Sequence, residues 1–187
     1  MRKPYTLTRR AFLVRGSAAG AGLLLGFHLP AKRKFAAAPK EATENEAAAV
    51  NAWIEIQPDD RVLIRVARSE MGQGIFTALP MLVAEELDCD WSKVHAEYAR
   101  ASENRARDTV FGSMSTGGSR SVRGSQDYLR TAGAVARELL VTAAAARWNV
   151  PVDDCSAANS VITHTPSGRT LRFGEVAADA AKLEAPE

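Results

Sequence analysis

Cysteine and histidine are scarce in this sequence of 187 residues. Its two cysteines, Cys89 and Cys155, form no CxxC motif and no Cys/His cluster, so no zinc or iron–sulfur site is expected in this chain. The sequence does not decide whether they form a disulfide in an oxidising compartment, although two separate, partly buried thiols are favoured. The three histidines, His28, His95 and His164, are scattered, and we interpret them as ordinary surface or core residues.

Acidic residues are missing from positions 1–38, which contain eight Lys or Arg. The remainder contains 16 basic and 22 acidic residues, a net charge of −6. A body of this sign is poorly suited to nucleic acid or anionic lipid, and no stripe of aromatic and basic residues is present. Nucleic-acid binding is therefore not expected, and the basic end needs its own explanation.

The basic end also lacks an apolar run long enough for a comfortable membrane span. Residues 18–29 are apolar, and their number is typical of the hydrophobic part of a signal peptide. The preceding Thr8-Arg9-Arg10-Ala11-Phe12-Leu13 resembles a twin-arginine export signal, with two adjacent arginines before a hydrophobic pair. A basic amphipathic surface helix is the alternative interpretation.

Three regions follow from this pattern. We interpret residues 1–38 as a twin-arginine signal peptide, residues 39–50 as an Ala/Glu-rich linker and residues 51–187 as a folded domain. Twin-arginine export predicts a bacterial, periplasmic protein, or a membrane-anchored one if the signal is not cleaved. The route carries proteins that folded before export, often with a cofactor, so the signal raises the expectation of a cofactor.

The folded domain shows the order strand, strand, helix, strand, helix, strand, strand, helix. Hairpins are predicted near residues 53–66 and 160–173, a polar loop at residues 102–108, and a long helix near residues 120–148. The long helix has an alanine-rich buried stripe, which indicates close packing against a neighbour. This order predicts an α+β fold with α/β layers, in which a mixed sheet packs against helices.

Two glycine-rich loops, each before a predicted helix, contain the candidate site. One is Met71-Gly72-Gln73-Gly74, and the other is Thr116-Gly117-Gly118-Ser119, followed by Arg120 and Ser121. Glycine exposes backbone N–H groups without an obstructing Cβ, and a helix N-terminus favours anions. Gln73 adds an uncharged donor and acceptor. The pattern indicates an anionic, heteroatom-rich ligand held by two loops, although tight turns alone can show the same pattern.

The stretches SEMGQGIFTALPMLVAEELDCDWSKV and GSMSTGGSRSVRGSQDYLRTAGA resemble the molybdopterin-binding part of the molybdenum hydroxylases, the xanthine dehydrogenase/aldehyde oxidase family. The branch that they resemble most is the large (beta) subunit of isoquinoline 1-oxidoreductase-type enzymes. The resemblance covers about residues 50–183. It implies that these residues bind the pterin and its pyrophosphate: Gly72, Gln73, Gly74, Thr116, Gly117, Gly118, Ser119, Arg120 and Ser121.

The resemblance also implies an enzyme class. The cofactor would be molybdenum–molybdopterin, usually in the cytosine dinucleotide form, and the reaction would be hydroxylation of an N-heterocycle or an aldehyde with water-derived oxygen. Electrons would pass to a small partner subunit with two 2Fe–2S clusters. The resemblance implies an oxidoreductase, and this chain would be one part of it.

Family large subunits are several times longer, and their base is a glutamate near the far C-terminus. We therefore expect this chain to be an N-terminal fragment that is inactive alone and has no catalytic residue of its own. Such a fragment would need the rest of the large subunit. Without it, the alanine-rich face of the long helix would lack a neighbour. Glu70 is interpreted as a loop-stabilising acid and not as the base. The alternative is a non-catalytic periplasmic binding or interaction domain derived from such an enzyme.

Overall fold

Residues 48–185 are described by the computed structural model, and they form two sheets and four α-helices. The predicted signal peptide and most of the predicted linker lie outside the described residues. The first sheet contains β1 (Ala48–Ala49), β2 (Ile54–Ile56), β3 (Val62–Val66) and β4 (Val94–Tyr98). The second contains β5 (Cys155–Ala158), β6 (Val161–His164) and β7 (Arg169–Arg172). The helices are α1 (Ile75–Leu87), α2 (Ala101–Ala106), α3 (Gln126–Trp148) and α4 (Phe173–Ala180).

The first sheet is mixed and has the strand order β1-β2-β3-β4. β2 and β3 form the predicted antiparallel hairpin, with Ile54 opposite Ile64. β3 and β4 are parallel, and the chain crosses between them through α1. Along β3, alternate residues are buried, as the sequence pattern predicts. The second sheet is antiparallel throughout, in the order β5-β6-β7.

Helices α1 and α3 pack closely because Gly133 of α3 faces the backbone of α1. A Cβ built at Gly133 would lie only 2.6 Å from the carbonyl oxygen of Val83. The buried alanines of α3 are Ala132, Ala136, Ala143, Ala144 and Ala145. Since α1 and α4 both pack against α3, the expectation that the alanine-rich face would lack a neighbour is wrong.

Asp60 joins the two sheets. It lies in the turn between β2 and β3, and only 1% of its surface is exposed. Its Oδ2 lies 3.1 Å from Lys93 Nζ and 3.0 Å from Arg172 Nη1, and its Oδ1 accepts the Gly174 N–H at 2.9 Å. A buried charge needs such partners. These contacts therefore fix the start of α4 beside the first sheet.

Two element boundaries differ from the sequence prediction. Helix α3 begins at Gln126, whereas residues 121–125, predicted to be helical, form turns. The predicted loop at residues 102–108 contains most of α2, and this short helix is held by Asn104. The Asn104 side chain accepts the Phe111 N–H at 2.8 Å and donates to the Gly112 carbonyl at 3.1 Å. Such contacts leave no periodic pattern in the sequence.

Two strands are absent from the sequence prediction. β5 consists of cysteine, serine and alanine, which do not have the β-branched or aromatic character that indicates a strand. β1 lies inside the predicted linker and pairs with β2. Its alanines form a strand because β2 offers an edge for pairing, so the folded part includes Ala48–Ala49. Within the described residues, none of the helices combines the length and hydropathy of a bilayer-crossing segment.

We predict that Gly174→Ala destabilises the fold. The added Cβ would lie 2.6 Å from the Gln57 carbonyl oxygen and 2.7 Å from that of Pro58. The free energy of unfolding, measured by urea denaturation, should fall by about 1–3 kcal/mol, the usual cost of overpacking. Gly117→Ala is the matched control, because its added Cβ would have no neighbour within 4 Å. Equal losses in both variants would contradict the close contact at Gly174.

Candidate functional site

Loop A, residues 68–74, connects β3 to α1 and is shaped by the carboxylate of Glu70. Its Oε1 accepts the N–H groups of Gly72 at 2.7 Å and Gly74 at 3.0 Å, and its Oε2 accepts the Phe76 N–H at 2.9 Å. Gly72 and Gly74 have φ values of 94° and 75°, in the left-handed region that glycine adopts readily. The donors at the start of α1 are thus used by the chain itself.

These hydrogen bonds favour the ionised form of Glu70. The Phe76 N–H, followed by those of Gly74 and Gly72, holds the pKa of the Glu70 carboxyl below its ordinary value of 4.5. The positive end of the α1 dipole favours the same charge. Glu70 therefore stabilises the loop, as the sequence indicates, and its carboxylate is committed to backbone donors.

Gln73 folds back onto loop A in this conformation. Its Oε1 accepts the Met71 N–H at 2.6 Å, and its Nε2 donates to the Ser69 carbonyl at 2.8 Å. Each polar atom of the amide therefore makes one hydrogen bond within the loop. The role of Gln73 in contacting a ligand stays a prediction, since one N–H of Nε2 and one lone pair of Oε1 are not used by these two hydrogen bonds.

Loop B, residues 113–125, has donors that lack partners among the described residues. The N–H groups of Gly117, Gly118 and Ser119 make no hydrogen bond there, and neither do the hydroxyls of Ser119 and Ser121. Gly118 and Ser119 have φ values of 59° and 52°. The sequence indicated one shared design for the two loops. In loop A, however, the N–H groups of Gly72 and Gly74 have partners, whereas those of Gly117 and Gly118 in loop B have none among the described residues.

Exposed cations flank these donors. Arg120 and Arg123 are exposed, and within residues 48–185 neither pairs with an acid. The Arg120 guanidinium lies over Gly118, because a Cβ built at Gly118 would be 3.6 Å from Arg120 Nε. Backbone N–H groups and a guanidinium together suit the oxygen atoms of phosphate groups.

Loops A and B contact each other directly. The Ser69 N–H donates to Thr116 Oγ1 at 2.7 Å. Arg68 Nη1 donates to the Ser115 carbonyl at 2.5 Å, and Arg68 Nε lies 3.4 Å from Ser125 Oγ. The structure thus brings the two predicted segments together. The Thr116 hydroxyl, predicted to bind ligand, serves here as a contact between the loops.

Tyr98 at the end of β4 also supports loop A. Its hydroxyl accepts the Glu70 N–H at 3.2 Å, and its ring contacts Phe76 with ring centroids 4.6 Å apart. Sequence reasoning missed Tyr98 and Arg68. A usable signal was the parallel pairing of β3 and β4, since the carboxyl ends of parallel strands meet at one edge, where ligands commonly bind.

Histidine and cysteine do not gather at the loops. His95 is exposed and His164 is buried, while His28 lies outside the described residues. Cys89 and Cys155 are separate thiols, and burial raises the pKa of Cys89 to about 12. In the part of the chain that the structure describes, no group of three or more His, Cys, Asp or Glu side chains could hold a metal ion.

Comparison with known proteins identifies the family. A sequence model described as the molybdopterin cofactor-binding domain matches residues 16–187. The chain belongs to this family. Isoquinoline 1-oxidoreductase subunit beta from Brevundimonas diminuta is 38% identical over 183 residues, which are 97% of this chain and 22% of that protein. A membrane-bound aldehyde dehydrogenase (pyrroloquinoline-quinone) from Gluconacetobacter polyoxogenes is 34% identical over 178 residues, 95% of this chain and 22% of that protein.

This chain thus spans about a fifth of the length of these curated relatives, 22% of each. Two solved structures share its fold: a Cu,Mo-CO dehydrogenase in the carbon monoxide reduced state and a reconstituted CO dehydrogenase from Oligotropha carboxidovorans. Each is 22% identical to this chain with a TM-score of 0.51. Each match covers 67% of this chain and 15% of the chain in the solved structure. These comparisons confirm the predicted α+β fold class.

The loops of this molybdopterin cofactor-binding domain combine open glycine backbone with hydrogen-bond donors for an anion. Around Gly72, Gly74 and Gly117, a built Cβ would have no atom within 4 Å, so a ligand can approach the backbone there. Loop B offers the available N–H groups and the Arg120 cation to an anion. The phosphate groups of a pterin cofactor would supply such an anion.

We predict that Glu70 makes the stability of the chain sensitive to acid. Because its pKa is lower in the folded than in the unfolded chain, its stabilising effect is present above pH 4.5 and is lost as the pH falls through the folded pKa. Below pH 4.5, the free energy of unfolding should therefore fall more steeply in the wild type than in Glu70→Gln.

Urea denaturation at a series of pH values measures both slopes. Glu85→Gln is the matched control, since Glu85 is an exposed residue of α1 whose side chain makes no hydrogen bond among the described residues. This control should keep the wild-type slope. Identical slopes in the wild type and Glu70→Gln would show that Glu70 does not stabilise loop A as described.

Proposed function

We propose that this chain is the cofactor-binding part of a molybdenum-dependent oxidoreductase that hydroxylates N-heterocycles or aldehydes with water-derived oxygen. The observation that carries the proposal is the direct contact of loops A and B through Ser69 and Thr116, which makes one ligand surface from two segments. Family membership supports molybdopterin as the ligand. The names of the two relatives support a heterocycle or an aldehyde as the substrate.

In this proposal, loop B binds the anionic part of the cofactor. Gly117, Gly118 and Ser119 supply backbone donors, Arg120 supplies a positive charge, and Ser121 supplies a hydroxyl. Hydrogen bonds between charged groups are shorter and stronger than neutral ones. The pyrophosphate of a cytosine dinucleotide form would match this set of donors.

Loop A binds the pterin side of the cofactor in this proposal. Gly72 and Gly74 present backbone without side chains, and Glu70 keeps that backbone in place. Gln73 contacts the cofactor with the donor and acceptor sites that its hydrogen bonds with Met71 and Ser69 leave unused. When bound, the cofactor supplies a metal centre that accepts two electrons from the substrate.

In our proposal, the complete reaction also requires a base, a substrate pocket and an electron acceptor that lie outside this chain. The Glu70 carboxylate accepts three backbone N–H groups and is not available as a base. We assign the base and the substrate pocket to segments that correspond to the rest of the relatives' length. We assign electron transfer to a small partner subunit with two 2Fe–2S clusters.

We predict that the chain, purified natively from a bacterium that makes molybdopterin, retains molybdenum and pterin. Elemental mass spectrometry measures the metal, and fluorescence after oxidation measures the pterin. Release of cytidine monophosphate on hydrolysis would identify the dinucleotide form. Arg120→Ala should retain about tenfold less pterin, because a charge-assisted hydrogen bond is lost.

Arg105→Ala is the matched control for this experiment, because Arg105 is exposed and lies in α2, outside both loops. It should retain as much pterin as the wild type. A chain without metal and pterin would overturn the proposal and favour the non-catalytic binding domain. Pyrroloquinoline quinone in their place, the compound in the name of the Gluconacetobacter relative, would reassign the ligand.

We also propose that the twin-arginine motif exports the protein to the periplasm. Replacing Arg9 and Arg10 together by lysine should remove the protein from the periplasmic fraction, as measured by cell fractionation and immunoblotting. Lysine keeps the charge, so a basic amphipathic helix would be unaffected by the change. Arg15→Lys is the control and should leave export intact. Unchanged export of the double variant would refute the twin-arginine signal.

A further inference from the structure

Glu70 occupies the end of α1 at which an external anion would otherwise bind. The N-terminus of a helix exposes backbone donors and favours negative charge. Here Glu70 Oε1 takes the N–H groups of Gly72 and Gly74, and Oε2 takes that of Phe76. The chain thus brings its own anion to this position.

We propose, on the basis of the proposed function, that Glu70 is a positioning residue that fills this anion site from within the chain. Loop A then meets the cofactor with bare glycine backbone, and anionic groups of the cofactor are directed to loop B. Glu70 thereby separates two binding roles that the sequence assigns equally to both loops.

The surroundings of Glu70 support a fixed arrangement of loop A. Its own N–H donates to the Tyr98 hydroxyl at 3.2 Å, and the neighbouring Ser69 N–H donates to Thr116 Oγ1 at 2.7 Å. The backbone of Glu70 is therefore anchored on β4 and beside loop B, while its carboxylate holds Gly72 and Gly74. The loop keeps its shape through contacts within the chain.

The charges near the two loops also favour an anion at loop B over one at loop A. A phosphate group at the α1 end would lie close to the Glu70 carboxylate and would compete for the same donors. One unit of like charge at about 4 Å weakens binding about fivefold even in water. At loop B, by contrast, Gly117 and Gly118 have N–H groups without partners among the described residues, and Arg120 adds a positive charge.

The test uses inorganic pyrophosphate as the probe and the amide signals of the ¹⁵N-labelled 187-residue chain as the readout. In the wild type at neutral pH, pyrophosphate should shift the signals of Gly117 and Gly118 and leave those of Gly72 and Gly74 unchanged. In Glu70→Gln, the loop A signals should also shift. The apparent affinity of loop A for pyrophosphate should be at least about fivefold higher in this variant than in the wild type.

Two further variants separate positioning from a general effect on folding. Glu70→Asp keeps the negative charge and should restore the exclusion of pyrophosphate from loop A. Glu85→Gln removes an exposed charge from the same helix and should behave as the wild type. Well-dispersed amide spectra in all variants establish that each one is folded.

Equal pyrophosphate responses of loops A and B in the wild type would overturn the inference. The inference would also be overturned if pyrophosphate did not shift the Gly72 and Gly74 signals in Glu70→Gln. The probe requires no molybdopterin, so this result is independent of whether the chain retains the cofactor. If loop B of the wild type does not respond, the proposed function loses its anion site, while the comparison of Glu70 variants still decides the role of Glu70.

Discussion

The pairing of one buried carboxylate holds the architecture together. Asp60 is nearly inaccessible to water, and an ion in that position must find opposite charges and hydrogen-bond donors within the protein. Lys93, Arg172 and the Gly174 N–H meet this need, and they come from the start of β4 and from the junction of β7 and α4. The requirement for these partners draws the second sheet and the last helix against the first sheet.

The same requirement operates at the candidate site, with a different outcome. Glu70 finds its donors in the backbone of loop A and at the start of α1, and it thereby sets the shape of the loop. Arg68 and Ser69, the two residues before it, hold loop B in contact. Three consecutive residues therefore connect a strand end, a helix start and a distant loop, and together they build one surface.

Local sequence patterns predicted the larger elements and the two loops of the site. The alternation in β3, the apolar spacing of α1 and the alanine stripe of α3 all have a local physical cause, namely a face that must be buried. β1, β5 and α2 escaped prediction, because their residues adopt regular structure only through pairing or side-chain contacts with a neighbouring segment of the chain, and their own composition does not indicate it. The sequence identified the loop residues, but it did not identify which of their hydrogen-bonding groups lack partners within the chain.

The sequence by itself determined the larger elements, the family and the positions of the glycines, because these depend on residue type and short-range spacing. Only the tertiary structure decided which polar groups are used up and which are available. Gln73 and Thr116 carry suitable atoms for a ligand, yet both bind their own chain, whereas Gly117 and Gly118 keep donors available among the described residues. A hydrogen bond depends on where its partner lies in space: the partner of the Thr116 hydroxyl comes from 47 residues away, and Gln73 reaches Met71 and Ser69 only because loop A folds back on itself.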